Sequence, residues 1–507
     1  MPKSYLAIFL LVFLGCVYLY LLLPGQVGVG ADTVIYYGAA QNLLDGRNLT
    51  LPFGSTFAGH KDELMTHFPP LYSVVLAAVA YFVGGVAQAA WLLTIFLWGG
   101  LLLTVGLLMW FYCPQPAWIA VLAVFLMMSA AGIIRLYTVA LSEPIFILCW
   151  LGGFFFLDRY LQQKGWGLFL LSALLLSLTL LTRFSGIAFI GAGSVWLLRR
   201  QGWRTAVVYG LLTVLPLTIW LSVASQVGSP TNRDVSIHWI SAHHFWQGVY
   251  AISAWLAPDN LPTLLRLGVW IVLLGSLVWL IWRRQFAQTK LTRLVPHFFI
   301  MLLLSTGIYL AVIVFSISFL DVQVRLSPRI MSPVYLALLL PALYALSEWW
   351  PQATETARRI VGISGILLCL AYLVSMVYTF KEIHQNGEHY TNSSWRSSET
   401  LQFLQTSPSQ EPIVSNLPDL IYFYTGNPAT AIPAQFHNTS LRPNATYENE
   451  MALLAQEMAA GSQLVYFHDT NWRWFLPSED SVVASLSLRP LRQFPNATIY
   501  ILDENLK

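Results

Sequence analysis

Long apolar runs separated by short polar breaks dominate this chain, and their lengths set the architecture before any single residue does. Eleven stretches read as spanning helices: 4–23, 91–111, 116–134, 144–161, 167–182, 186–198, 205–225, 264–282, 294–318, 330–347 and 360–380. Most approach the roughly twenty residues that carry an α-helix across a hydrocarbon core of about 30 Å. A further apolar stretch, 71–86, is short and follows Pro69 and Pro70. Lysine and arginine in short loops resist translocation, and this rule decides the parity. Without 71–86 as a span, Lys3, Arg159, Lys164, Arg199, Arg200, Arg204, Arg283, Arg284, Lys290, Arg293, Arg358 and Arg359 share one side. Counting it would move all but Lys3 across, so 71–86 is expected to lie along the outer interface.

Three external regions follow. Residues 24–90 form a first external loop, 226–263 a second, and 381–507 an external domain. In that last region short strand-like runs (413–415, 463–467, 498–502) alternate with a helical pattern over 448–460. A small α/β domain is the expectation. The fold class is an α-helical polytopic membrane protein with about eleven spans, interfacial helices in the first loop and this soluble domain at the end, so residues 1–380 are the transmembrane part.

Composition agrees: 56% of the 507 residues are hydrophobic and 10% charged, far from a soluble domain with about a quarter charged. A net charge of +3, scattered over short loops, gives nucleic acid no basic face. Cys16, Cys113, Cys149 and Cys369 lie in or beside apolar runs without metal-ligand spacing, so neither a disulfide nor a zinc cluster is expected. The first run is longer than a signal-peptide core and lacks a cleavage pattern, so it reads as a retained span.

Candidate chemistry collects on the external side. Asp32 opens a helix-like segment that Gly46 would end, at lipid headgroup level; an N-cap aspartate would look the same. His67 stands just before the diproline, where it would touch a phosphate or sugar or remain a solvated loop histidine. Arg135 and Glu143 bracket an external turn in "RLYTVALSEP", and Arg183 sits in the outer turn "LLTRFSG". Asp321, Arg325 and Arg329 share "DVQVRLSPRIMSPVY". External arginines run against the positive-inside bias, and a phosphate is their natural partner because guanidinium grips its oxygens in pairs. Snorkelling, ordinary anionic headgroups, a first-turn Glu143 or an Asp321 ion pair would explain the same residues without function. Sequons at Asn48, Asn392, Asn438, Asn444 and Asn496 all fall on the external side. No P-loop, dinucleotide fingerprint, zinc-helix motif or nucleophile elbow occurs, against ATP-driven or hydrolytic chemistry.

The order of these features resembles the GT-C membrane glycosyltransferases, particularly the branch with protein O-mannosyltransferases and the aminoarabinose transferase of lipid A. It consists of a first span, an external loop opening on an aspartate, "HFPPLY", an acidic external turn, a "TR" turn and "RLSPRIMSP". The resemblance covers roughly residues 1–350 and rests on short motifs in order. It implies an inverting transfer from a polyprenyl-phosphate-linked sugar donor to a lipid, glycan or protein acceptor. Asp32 matches the catalytic first-loop aspartate, Glu143 the second acidic position, and Arg329 the outer arginine beside the later proline. Some members carry a basic residue where this chain has Phe68, and His67 would take its place. Arg329, Arg183, Arg135, Arg325 and His67 are the donor-phosphate candidates. Asp32 and Glu143 would hold a divalent ion, Mg²⁺ or Mn²⁺, if one is bound. The leading alternative is a transporter or flippase of a lipid-linked sugar, although no internal repeat supports it; a structural subunit that docks a partner is a third. A bacterial inner membrane, with the first loop and C-terminal domain outside the cytoplasm, is the expected location.

Overall fold

The computed structural model describes residues 3–53, 63–226, 235–255, 261–268, 270, 271, 275, 295–406 and 411–503. Most of the span expected at 264–282, and Arg283, Arg284, Lys290 and Arg293, lie outside them. Among the described residues, seven helices are long and apolar enough to cross a membrane. They are Lys3–Leu22, Val86–Tyr112, Glu143–Gln163, Trp203–Gln226, His297–Phe319, Pro328–Trp349 and Glu355–Asn386. Trp166–Thr182 and Ile187–Gln201 are shorter helices packed among them. The first and last of the seven turn apolar side chains outward, including Phe9, Phe13, Ile366, Leu370 and Val377. Water would not tolerate so broad an apolar surface, whereas lipid chains solvate it. The chain is an integral membrane protein.

The stretch expected as one span at 116–134 is instead two helices, Trp118–Ser129 and Ala131–Leu136. The break is at Ala130, whose backbone is extended at ψ 111°. Two apolar segments joined by one unwound residue give the same hydropathy as a continuous helix, so composition could not reveal the break.

Leu71–Val83 is a helix of 13 residues, about 20 Å long at 1.5 Å per residue. Both its ends stay on the Asp32 side. Tyr72 meets Tyr36 edge-on at 4.9 Å. After the Gly84–Gly85 turn, Trp91 donates to Leu23 O at the Asp32-side end of the first helix (2.7 Å). The segment therefore runs along that side.

The C-terminal domain holds a five-stranded sheet ordered β2-β1-β3-β5-β4. The strands are β1 (Ile413–Ser415), β2 (Thr430–Ala431), β3 (Gln463–Phe467), β4 (Leu488–Phe494) and β5 (Ala497–Leu502). The first three are parallel, β5 runs antiparallel to β3, and β4 antiparallel to β5. Sequence patterning missed β2, which is two residues long, and β4, an edge strand containing Arg489, Pro490 and Arg492. Charges and proline on an edge discourage further pairing and also erase the hydrophobic alternation that marks a strand.

Domain and first loop share a core. Val29, Val34 and Phe53 are buried in one cluster with Leu417, Leu420, Ile421 and Val465, and Phe53 lies 5.6 Å from Tyr422. The sheet thus sits over the loop that carries Asp32.

Candidate active site

Asp32 lies in the first turn of the helix Ala31–Leu44. Gly30 caps that helix in an extended conformation, and its N–H donates to Thr33 Oγ1 (3.2 Å). The partial positive charge of a helix N-terminus favours an anion there. Glu143 occupies the same place in its own helix, with Ser142 before it and Pro144 after it. Thr33 Oγ1 donates to Ala140 O (2.9 Å) and joins the two helix starts. Tyr36, one turn after Asp32, reaches Ser142 Oγ at 3.3 Å. Arg183 ends Trp166–Thr182 in extended backbone. Arg329 opens Pro328–Trp349, whose Ser327 cap accepts from Ile330 N.

These four side chains form one cluster. Arg329 Nη2 donates to Asp32 Oδ2 at 2.9 Å, and its Nε donates to Glu143 Oε1. Arg183 Nη1 donates to the same Glu143 oxygen at 2.6 Å. Exposure separates the two acids: the Glu143 side chain is 4% exposed and that of Asp32 34%. Glu143 Oε2 is buried without a hydrogen-bond partner. Glu143 therefore acts from inside, fixing two guanidiniums, while Asp32 faces the opening. Burial pushes the Asp32 carboxyl up, but the Arg329 guanidinium, helped by Arg183 and His67, outweighs it and holds the carboxyl below its ordinary range. Two cations against two anions leave the cluster neutral before any phosphate arrives.

The other sequence candidates separate. His67 is exposed, its ring edge-on to Phe68 at 4.7 Å, and near enough to act on the Asp32 charge. Arg325 is exposed and lines a cavity of about 310 Å³ with His243, Trp246, Tyr250 and Ser327. Arg135 lies apart from the cluster, donating to Glu382 (2.6 Å) and Glu388 (3.0 Å). Asp321 accepts from Gln323 N at 2.9 Å. Tyr36 and the wall of the Arg325 cavity escaped sequence reasoning, yet both carried a helical signal. Tyr36 is at i+4 from Asp32, and His243, Trp246 and Tyr250 at i, i+3 and i+7 share one face of Ala242–Ser253.

A divalent ion fits this arrangement poorly. Arg329 already stands between Asp32 and Glu143, and among the described residues no group of three or more His, Cys, Asp or Glu could hold a metal. An ion would have to displace a guanidinium from the pair.

No protein-family model matches the chain, and neither does any curated protein sequence. Solved structures do. The crystal structure of ArnT, a lipid A aminoarabinose transferase, from Cupriavidus metallidurans bound to undecaprenyl phosphate superposes with a TM-score of 0.60. It is 15% identical, over 100% of this chain and 99% of that one. The chain has a GT-C glycosyltransferase fold. The apo form of the same ArnT superposes with a TM-score of 0.59 at 16% identity, over 98% of each chain. An oligosaccharyltransferase from Archaeoglobus fulgidus aligns more loosely, with a TM-score of 0.45 and 12% identity over 90% of this chain and 68% of that one. The GT-C resemblance read from the motifs over residues 1–350 thus holds for the fold, and the superposition with ArnT extends over the whole chain.

Proposed function

We propose that this protein is a glycosyltransferase that moves a sugar from a polyprenyl-phosphate-linked donor to an acceptor hydroxyl on the Asp32 side of the membrane. The observation that carries the reading is the partly open Asp32 carboxylate, held by Arg329, beside a buried Glu143 that fixes Arg329 and Arg183. The undecaprenyl phosphate bound to ArnT, a protein of the same fold, supports a lipid-phosphate carrier. In the reaction, Asp32 takes the acceptor hydroxyl proton while that oxygen attacks the anomeric carbon. The bond from that carbon to the phosphate oxygen breaks, its electron pair leaves with the lipid phosphate, and the configuration inverts. The leaving phosphate gains negative charge, and Arg329 and Arg183 are placed to meet it. His67 and Arg325 supply further positive potential at the rim, outside the central cluster. No step passes through a metal. The acceptor is a lipid, a glycan or a protein, and the side is the periplasm of a bacterial inner membrane.

The test is transfer of radiolabelled sugar from polyprenyl-phosphate donors in membranes with matched expression. Asp32→Asn is expected to lower transfer at least about a hundredfold while donor binding persists. Should the wild-type chain consume no donor under varied acceptors, yet carry labelled lipid across the bilayer, the chain is a flippase and the enzyme reading falls.

A further inference from the structure

Arg135 is not part of the central cluster, yet everything around it leads there. It sits in the short helix Ala131–Leu136, just before the run 138–142 that delivers Glu143. That run pairs with the approach to Asp32: Gly28 N donates to Thr138 O (2.7 Å) and Ala140 N to Gly28 O (3.0 Å). On the other side of the same strap, Tyr390 N donates to Val29 O (2.8 Å), forming a parallel bridge between Val29 and His389. Residues 389 and 390 follow shortly after the last long helix ends at Asn386, at the entry to the C-terminal domain. A three-stranded strap therefore joins the run to Asp32, the run to Glu143 and the entry to the domain. Gly28 is required at its centre, because a Cβ there would lie 2.8 Å from Glu388 Cβ and 2.9 Å from Thr138 O. The helix carrying Arg135 also touches the third catalytic element: a Cβ on Gly132 would lie 3.3 Å from Pro328 Cβ, beside Arg329.

Arg135 locks this arrangement from the domain side. Its two Nη nitrogens donate to Glu382, on the last long helix, and to Glu388, beside the strap. The pairs are partly buried, with side-chain exposures of 29% for Arg135, 38% for Glu382 and 18% for Glu388. Unlike Arg183 and Arg329, which are paired to Asp32 and Glu143, Arg135 spends both nitrogens on carboxylates outside that cluster.

We infer that Arg135 is a positioning residue, a latch through Glu382 and Glu388 by which the end of the last long helix and the entry to the C-terminal domain hold Asp32, Glu143 and Arg329 in register. This rests on the glycosyltransferase reading for its rate consequences, but the latch itself is a structural claim. A domain that loosens would open all three runs together, since each is hydrogen-bonded or packed to the same strap.

The experiment uses the full chain in lipid nanodiscs and combines donor kinetics with amide hydrogen exchange. Arg135→Gln is expected to lower kcat about tenfold with the donor KM unchanged, and Arg135→Lys to recover most of that loss. Adding Glu388→Gln to Arg135→Gln is expected to cost nothing more, because the two act as one unit. Exchange at the amides of Gly28, Ala140 and Tyr390 is expected to quicken in Arg135→Gln. A raised donor KM with kcat unchanged, additive with Glu388→Gln, would make Arg135 a phosphate ligand and overturn the latch. Unchanged exchange at the three amides overturns it as well. If the wild-type chain transfers no sugar, the glycosyltransferase reading fails, and the exchange measurement alone still decides for or against the latch.

Discussion

Replacing Arg329 by glutamine removes the cation that keeps Asp32 ionised, and the size of the effect follows from the contact geometry. With Nη2 and Oδ2 2.9 Å apart, the charge centres are about 4 Å apart, worth about 4 kcal/mol at an effective dielectric of about 20. Asp32 is about one-third exposed, and water screens about half of this, leaving about 2 kcal/mol. In the wild-type chain the Asp32 carboxyl is held below its ordinary range, so the base form persists at mild acidity and activity falls only as pH drops through that lowered value. In Arg329→Gln, burial and the Glu143 charge act without that counterweight, and the acid limb moves to higher pH than in the wild type. The assay is kcat/KM for the donor from about pH 4.5 to 8.5 in both proteins. Loss of phosphate stabilisation lowers the variant at every pH, but its ratio to wild type should fall further from the neutral to the acid end. A ratio that stays constant across the range would refute the argument, because Arg329 would then not set the Asp32 charge.

Other outcomes follow from the same geometry. Asp32→Asn should reduce transfer about 10²- to 10⁴-fold, the usual contribution of a general base, while a donor-binding assay reads unchanged. His67→Ala and Arg325→Ala, at the rim, should each raise the donor KM a few-fold with kcat nearly constant, and a loss confined to kcat would remove them from donor binding. A chelator should leave initial rates unaltered, and restoration of a lost rate by Mg²⁺ or Mn²⁺ would count against the metal-free scheme. In the C-terminal domain, Arg473→Met leaves Asp419 buried without its 2.6 Å partner. That should cost about 3–5 kcal/mol in the C-terminal domain, read as a lower Tm in detergent.

Much of this architecture was legible because its physics is one-dimensional. Apolar length fixes a spanning helix whatever its neighbours are, so the positions of most long helices follow from the chain directly, and the charge bias assigned 71–86 to the interface. Asp32, Glu143, Arg183 and Arg329 could each be singled out because an ionised side chain at the end of an apolar run calls for a reason. Which of them meet could not be read, since Asp32 and Arg329 are 297 residues apart and nothing local encodes that contact. Arg135 shows the limit. By sequence it is as good a phosphate candidate as Arg183, and only the positions of Glu382 and Glu388 separate them. The break at Ala130 and the edge strand β4 escaped for a related reason: each is set by what packs alongside rather than by the segment's own pattern.

The long separation between Asp32 and Arg329 has a bearing on biosynthesis. The first external loop leaves the ribosome early, but its arginine partner follows 297 residues later, and the sheet that buries Val29, Val34 and Phe53 comes later still. At roughly 5–20 residues per second, the interval is about 15–60 s. Throughout it the nascent chain carries an unpaired aspartate and an uncovered apolar patch at the membrane surface. The Asp32–Arg329 pair therefore forms only after residue 329 has been made, and a chain truncated before its terminal sheet is expected to leave Val29, Val34 and Phe53 uncovered.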